Sequence, residues 1–126
     1  MFIVITNSVG GDPNTRLVDW FCARGQVQPL SLYSQCRDDL LAQVIDGTPS
    51  EGYSYSFSFA NTVAPNCNIV FGHGACNGNL TEDDCSACLK AALGETNRNC
   101  RYGLGAWTKL ADCRMKYDNH VFSPNY

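Results

Sequence analysis

A chain of 126 residues with eight cysteines and a formal net charge of −3 is the size of one domain, and no Ser/Pro/Gly-rich linker or charge run divides it. The acidic balance leaves no basic stripe to neutralise a row of phosphates, which argues against nucleic acid as a partner. The longest apolar run near the start, Met1 to Ile5, falls far short of the roughly 20 residues that span a bilayer, which argues against a membrane anchor.

The opening lacks the basic n-region and full apolar h-region of a signal peptide, which predicts a mature or recombinant start. Met1 to Ile5 then reads as an added edge strand or as a remnant of a cleaved leader. Residues 1–14 are expected to form an N-terminal extension and residues 15–126 the domain. After the turn-like Gly10-Gly11-Asp12-Pro13-Asn14, residues 16–22 (Arg-Leu-Val-Asp-Trp-Phe-Cys) are rich in β-formers and predict a strand ending at Cys22. Between Ser31 and Ile45 the residues Tyr33, Cys36, Leu40, Leu41 and Val44 recur at three- and four-residue steps, the period of an amphipathic helix, which Gly47 and Pro49 stop. Tyr53, Tyr55, Phe57 and Phe59 alternate with Ser54, Ser56 and Ser58, placing four aromatics on one strand face, read as a core face.

A Pro65-Asn66 turn leads into a strand expected over Asn68 to His73. Thr81 has the character of a helix N-cap, because Glu82, Asp83 and Asp84 put negative charge in the first turn, where the helix dipole favours it. That helix is expected to run to about Leu93 and stop at Gly94, with Cys85, Cys88, Leu89 and Ala92 on its inward face. Two alternating segments, Leu104 to Leu110 and Cys113 to Asp118, predict the last strands. The order β-α-β-β-α-β-β implies an α+β fold, two helices packed on a five-stranded antiparallel sheet and stapled by disulfides.

The eight cysteines are Cys22, Cys36, Cys67, Cys76, Cys85, Cys88, Cys100 and Cys113. The Cys85-Ser-Ala-Cys88 pair near a helix start could be a redox couple, but Asp83 and Asp84 would raise its thiol pKa values rather than lower them. A zinc site favours two close pairs, whereas eleven residues separate Cys88 from Cys100 and twelve more separate Cys100 from Cys113. A cysteine nucleophile would need a free thiol with His73 or His120 as base, and the even count argues against a leftover thiol. The density and even number instead indicate an oxidising compartment and a disulfide framework, whose pairing is one of on the order of a hundred possibilities. No catalytic residue, metal site or cofactor is expected.

The run from Cys76 to Cys88, C-x8-C-x2-C, followed by Cys100 and Cys113, with an earlier cysteine ending the first strand, resembles the ginkbilobin domain. That domain occurs in antifungal seed proteins, cysteine-rich secretory proteins and receptor-like-kinase ectodomains, the salt-stress-response/antifungal family. The resemblance covers about Leu17 to Phe122. It includes Gly52 to Tyr55 (Gly-Tyr-x-Tyr), Phe71-Gly72 and the Gly-x7-Cys-x3-Tyr pattern from Gly105 to Tyr117. It implies bridges Cys22 to Cys100, Cys76 to Cys85 and Cys88 to Cys113. Cys36 and Cys67 are additional to the six-cysteine pattern and are expected to pair, pinning the first helix to the turn before the second central strand.

Some members of the family are lectin-like and bind mannose through an Asn after the first cysteine, an Arg in the penultimate strand and a Glu in the last. Aligned by the cysteines, those positions are Ala23, Trp107 and Asp118, so only the acid is kept, one methylene shorter. Sugar hydroxyls favour a carboxylate acceptor with planar donors, and Ala23 and Trp107 remove the two donors. By strand parity Trp107 shares a face with Lys109, Arg114, Lys116 and Asp118, which describes either a sugar platform or a solvated sheet face with one packed tryptophan. The resemblance thus implies a secreted, apoplastic, non-catalytic defence protein that meets mannose-containing glycans, such as fungal ones, as a monomer or weak dimer. The alternative is a protein-interaction module of the same fold that has lost mannose binding. Asn79-Leu80-Thr81 is the one glycosylation sequon, and its Thr81 also serves the capping role.

Overall fold

The computed structural model describes residues 12–26, 31–59, 67, 69–101 and 103–126. The expectation for Met1 to Ile5 and the Pro65-Asn66 turn lie outside the described residues. The elements follow the expected order: β1 (Leu17–Cys22), α1 (Leu32–Gly47), β2 (Ser54–Ser58), β3 (Phe71–Cys76), α2 (Glu82–Asn99), β4 (Ala106–Leu110) and β5 (Cys113–Asp118). The strands form one antiparallel sheet in the order β1-β4-β5-β3-β2, with α1 against β2 and β3 and α2 against β4 and β5. This is the expected α+β architecture.

Local chemistry sets the helix ends. The Ser31 side chain accepts from the Ser34 amide at 3.2 Å to cap α1, and the Thr48 hydroxyl and amide both donate to the Val44 carbonyl at the other end. Thr81 caps α2 by accepting from the Asp84 amide at 3.1 Å, above an acidic first turn. Cys36, Leu40, Leu41, Val44 and Ile45 of α1 and Cys85, Cys88, Leu89 and Ala92 of α2 are buried. They meet Ala106, Leu110, Cys113, Met115 and Tyr117 on the inner face of the sheet.

Several element boundaries differ from expectation, β4 among them, which begins at Ala106 rather than Leu104. The second helix does not stop at Gly94 but continues to Asn99. Gly94 faces open space, so its cost is roughly 1 kcal/mol of helix propensity relative to alanine. Beyond it the buried Thr96 hydroxyl bonds the Ala92 carbonyl and the Thr108 hydroxyl, each at 2.7 Å, and Cys100 is bridged to Cys22, which holds the extra turn. The third strand runs over Phe71–Cys76 rather than Asn68 to His73. Its inward residues Gly72 and Gly74 carry no apolar signal, because α1 lies on the strand itself. A Cβ at Gly74 would sit 2.7 Å from Val44 Cγ1 and one at Gly72 would collide with Leu40. Finally, β2 begins at Ser54, because Gly52 and Tyr53 turn with φ of 81° and 67°. Of the four aromatics only Phe59 is buried, Tyr55 and Phe57 are half-buried, and Tyr53 leaves the strand to donate its hydroxyl to the Leu80 carbonyl at 2.6 Å.

The disulfides are Cys22–Cys100, Cys36–Cys67, Cys76–Cys85 and Cys88–Cys113. All eight sulfurs are consumed, so no cysteine is present as a thiol. The strand cysteines Cys22, Cys76 and Cys113 share the inner side of the sheet with Ala106 and the partner strands, and every other half-cystine belongs to a helix, a helix end or the segment before β3. Among the described residues, no helix is long and apolar enough to cross a membrane.

Candidate functional site

With both helices on one side, the opposite face of the sheet is free to carry other chemistry. Strand register sets its rows. Phe21, Trp107, Lys116, His73 and Ser56 lie side by side across all five strands, and Asp19, Lys109, Arg114, Ala75 and Ser54 form the next row. At the other flank of the first row, Ala23 donates its amide to the Gly105 carbonyl at 2.9 Å, and Gly105 abuts Asp118, a Cβ there falling 3.1 Å from the Asp118 carboxyl carbon. The structure therefore brings Ala23, Trp107 and Asp118 onto one face, with Ala23 and Asp118 on either side of Gly105 and Trp107 one row away.

The inner layer positions this corner. Tyr33 of α1 donates its hydroxyl to the Leu104 carbonyl at 2.6 Å, and Tyr117 of β5 donates to the Gly103 carbonyl at 2.8 Å, so two phenols clamp the segment that enters β4. Burial pushes both hydroxyls above their ordinary pKa, which keeps them as donors. The Arg37 guanidinium lies 4.8 Å from the centroid of the Tyr117 ring and fixes it from the other side.

Trp107 is half-buried and stacked with Phe21, ring centroids 6.4 Å apart and planes 23° from parallel. Phe21 is 54% exposed. The Asp118 carboxylate accepts from the His120 amide at 3.2 Å and lies 3.5 Å from the His120 Nδ1, yet its side chain keeps a quarter of its surface open. Beside Ala23 a cleft of about 240 Å³ is lined by Gly25, Gln26, Asn99, Cys100, Arg101 and Gly103. Asn79 is exposed in the loop before α2.

The cationic half of the face is not open in the way that parity implied. The C-terminal segment folds back over β3 and β5. Arg114 donates to the Tyr126 and Pro124 carbonyls at 3.1 and 3.0 Å, its guanidinium lies 4.8 Å from the Tyr126 ring, and the Lys116 ammonium lies 4.6 Å from the Phe122 ring. His73, although it points away from the helices, is only 1% exposed, because Tyr126 covers it. Sequence reasoning missed Phe21, His73 and Tyr126 as parts of this face. Strand register alone joins Phe21 to Trp107, while a terminal Tyr three residues beyond Ser123 carries no local signal of where it docks.

Residues 21–120 match the profile of a family described as salt stress response/antifungal. Antifungal protein ginkbilobin-like protein 1 of Picea sitchensis is 29% identical over 118 residues, covering 93% of this chain and 86% of that protein. Antifungal protein ginkbilobin-2 of Ginkgo biloba is 27% identical over 110 residues, covering 86% and 80%. The tandem DUF26 ectodomain of the Arabidopsis thaliana cysteine-rich receptor-like protein PDLP5 shares the fold with a TM-score of 0.74 at 20% identity, over 85% of this chain and 51% of that one. The chain thus spans about half the length of that ectodomain.

Proposed function

The chain belongs to the salt stress response/antifungal family, and on that premise we propose that it is an extracellular, non-catalytic defence protein that binds carbohydrate on the outer face of its sheet. Relatives named as antifungal proteins, similar over most of their length, support the defence reading. The observation that carries the binding reading is the half-open Trp107, stacked on Phe21 and diagonal to the Asp118 carboxylate. An indole face takes the C–H side of a pyranose, and a carboxylate accepts two neighbouring hydroxyls. Ala23 and Trp107 supply no planar donors of their own. The cleft lined by Ala23, Gln26 and Asn99 lies next to this corner of the sheet. Mannose-containing glycans are the first ligands to test.

A glycan array followed by calorimetric titration with mannose and mannan tests the proposal. Binding should fall roughly five- to 150-fold in Trp107→Ala and in Asp118→Ala, each deletion removing a stacking or charge-assisted contact worth about 1–3 kcal/mol. Binding that ignores both substitutions, or no binding at all, rejects it. A protein-interaction module is the second reading, favoured by the apolar strip along the edge strand β1, where Val18, Trp20 and Phe21 are 45%, 44% and 54% exposed. Capture of a protein partner that is lost in Trp20→Ser and kept in Asp118→Ala would support it over sugar binding.

A further inference from the structure

The deepest side chain on the outer face is a histidine, and the segment that buries it is the end of the described chain. His73 uses both ring nitrogens: one lies 3.0 Å from the Ser54 hydroxyl and the other 3.0 Å from the Tyr126 hydroxyl, which also donates to the His73 carbonyl at 3.3 Å. The Tyr126 ring stands edge-on to the imidazole, centroids 5.5 Å apart, and Phe122 packs edge-on to Tyr126. We propose that residues 121–126 form a pH-released strap: docked while His73 is neutral, it withholds Arg114 and Lys116 from ligands on the outer face, and it lifts when His73 takes a proton. The proposal rests on the outer face being the ligand platform.

The charges around His73 make protonation costly. Lys116 is its direct partner on β5, Arg114 is the diagonal neighbour on the same strand, and the neighbours from β2, Ser54 and Ser56, carry no charge. The one titratable side chain of the strap is the Tyr126 phenol, which burial holds above its ordinary pKa and therefore neutral, while the strap's main-chain oxygens at Tyr126 and Pro124 accept from Arg114. Asp118, two residues along β5 from Lys116, has its carboxylate engaged by His120. Both hydroxyls beside the imidazole can turn to accept a hydrogen bond, so the penalty on the imidazolium is burial among two cations rather than a lost hydrogen bond.

Burial first, and Arg114 second, lower the His73 pKa below its ordinary 6.5. The released state binds the proton more readily than the docked one, so docking is strongest above that ordinary value and weakens as pH falls below it toward the depressed value. Release matters to the platform because Lys116 is the β5 partner of Trp107. Its ammonium, held under the Phe122 and Tyr126 rings at 4.6 and 5.5 Å, becomes available beside the indole once the strap leaves.

The strap is tested without any ligand. In an NMR titration of the whole chain from neutral to mildly acidic pH, the Phe122 and Tyr126 ring resonances should move from shielded to solvent-like positions in step with the His73 imidazole protons. Tyr126→Ala should shift the His73 titration upward toward the ordinary imidazole range. His73→Asn, which keeps a polar partner for the Tyr126 hydroxyl and cannot charge, should leave the rings docked at acidic pH. Should His73→Asn fail to fold, Tyr126→Phe replaces it, expected to dock more weakly and to raise the His73 titration part of the way. Ring resonances unmoved across that pH range, or a His73 titration that Tyr126→Ala leaves in place, overturn the strap whatever the ligand. Where the strap does release, mannan titrated against the wild type and Tyr126→Ala at neutral pH separates the two ideas. A several-fold gain in Tyr126→Ala supports both; measurable binding with no gain overturns the shielding role; and no binding in either rejects the sugar reading while release itself stands.

Discussion

Cys36 and Cys67 lie outside the six-cysteine pattern of the family, and removing them is a quantitative test of what the extra bridge does. The bridge joins the buried face of α1 to the segment before β3 across a separation of 31 residues, and no other cysteine falls between its ends to shorten that loop. In the chain-entropy account, a loop of this length withholds about 12 cal/mol/K from the unfolded state, or about 3.7 kcal/mol near room temperature. The same arithmetic gives about 2.6 kcal/mol for Cys76–Cys85, whose separation is 9. Cys36→Ala/Cys67→Ala should therefore cost about 1 kcal/mol more than Cys76→Ala/Cys85→Ala. With an unfolding entropy of about 2.1 cal/mol/K per residue, the first pair lowers Tm by roughly 14 °C. Urea unfolding of both double variants measures the costs, and the m value should rise in each as the unfolded chain expands. A loss under about 1 kcal/mol for the longer loop, or a larger loss for the shorter one, refutes the unfolded-state account and places the effect of these bridges in native packing.

Two further predictions concern α2. Gly94→Ala, at a solvent-facing helical position with no neighbour near its Cβ, should stabilise the protein by about 0.5–1 kcal/mol in urea melts; destabilisation would contradict a continuous helix through that residue. Thr96→Val leaves the buried Thr108 hydroxyl without its 2.7 Å partner and should cost about 1–2 kcal/mol. Adding Thr108→Val should recover part of that loss, and strictly additive costs would show that the two hydroxyls do not depend on each other.

Much of the fold was legible from residue types with a local role. Ser31 and Thr81 mark helix starts because a short oxygen-bearing side chain is what an uncapped amide needs, and both act that way here. Alternation through β5 separates Cys113, Met115 and Tyr117, all buried, from Arg114, Lys116 and Asp118, all partly exposed. Legibility failed where a residue's reason was a distant neighbour. The strand expected to end at His73 runs on to Cys76, and its Gly72 and Gly74 are where Leu40 and Val44 of α1 come to rest. Gly94 read as a helix stop because propensity is local, whereas the Thr96–Thr108 contact and the bridge at Cys100 reach other elements. For the candidate site, parity correctly put Trp107 on a face with Lys116 and Asp118, while its partner Phe21 required the β1-to-β4 register and the burial of His73 required the return of Tyr126.

No half-cystine projects toward the outer side of the sheet. Cross-linking and surface chemistry are thereby assigned to opposite sides of a single layer. Substitutions at Phe21, Trp107, Lys109 or Lys116 leave every sulfur and the packing beneath the helices untouched, so the chemistry of the outer side can change without renegotiating how the chain folds.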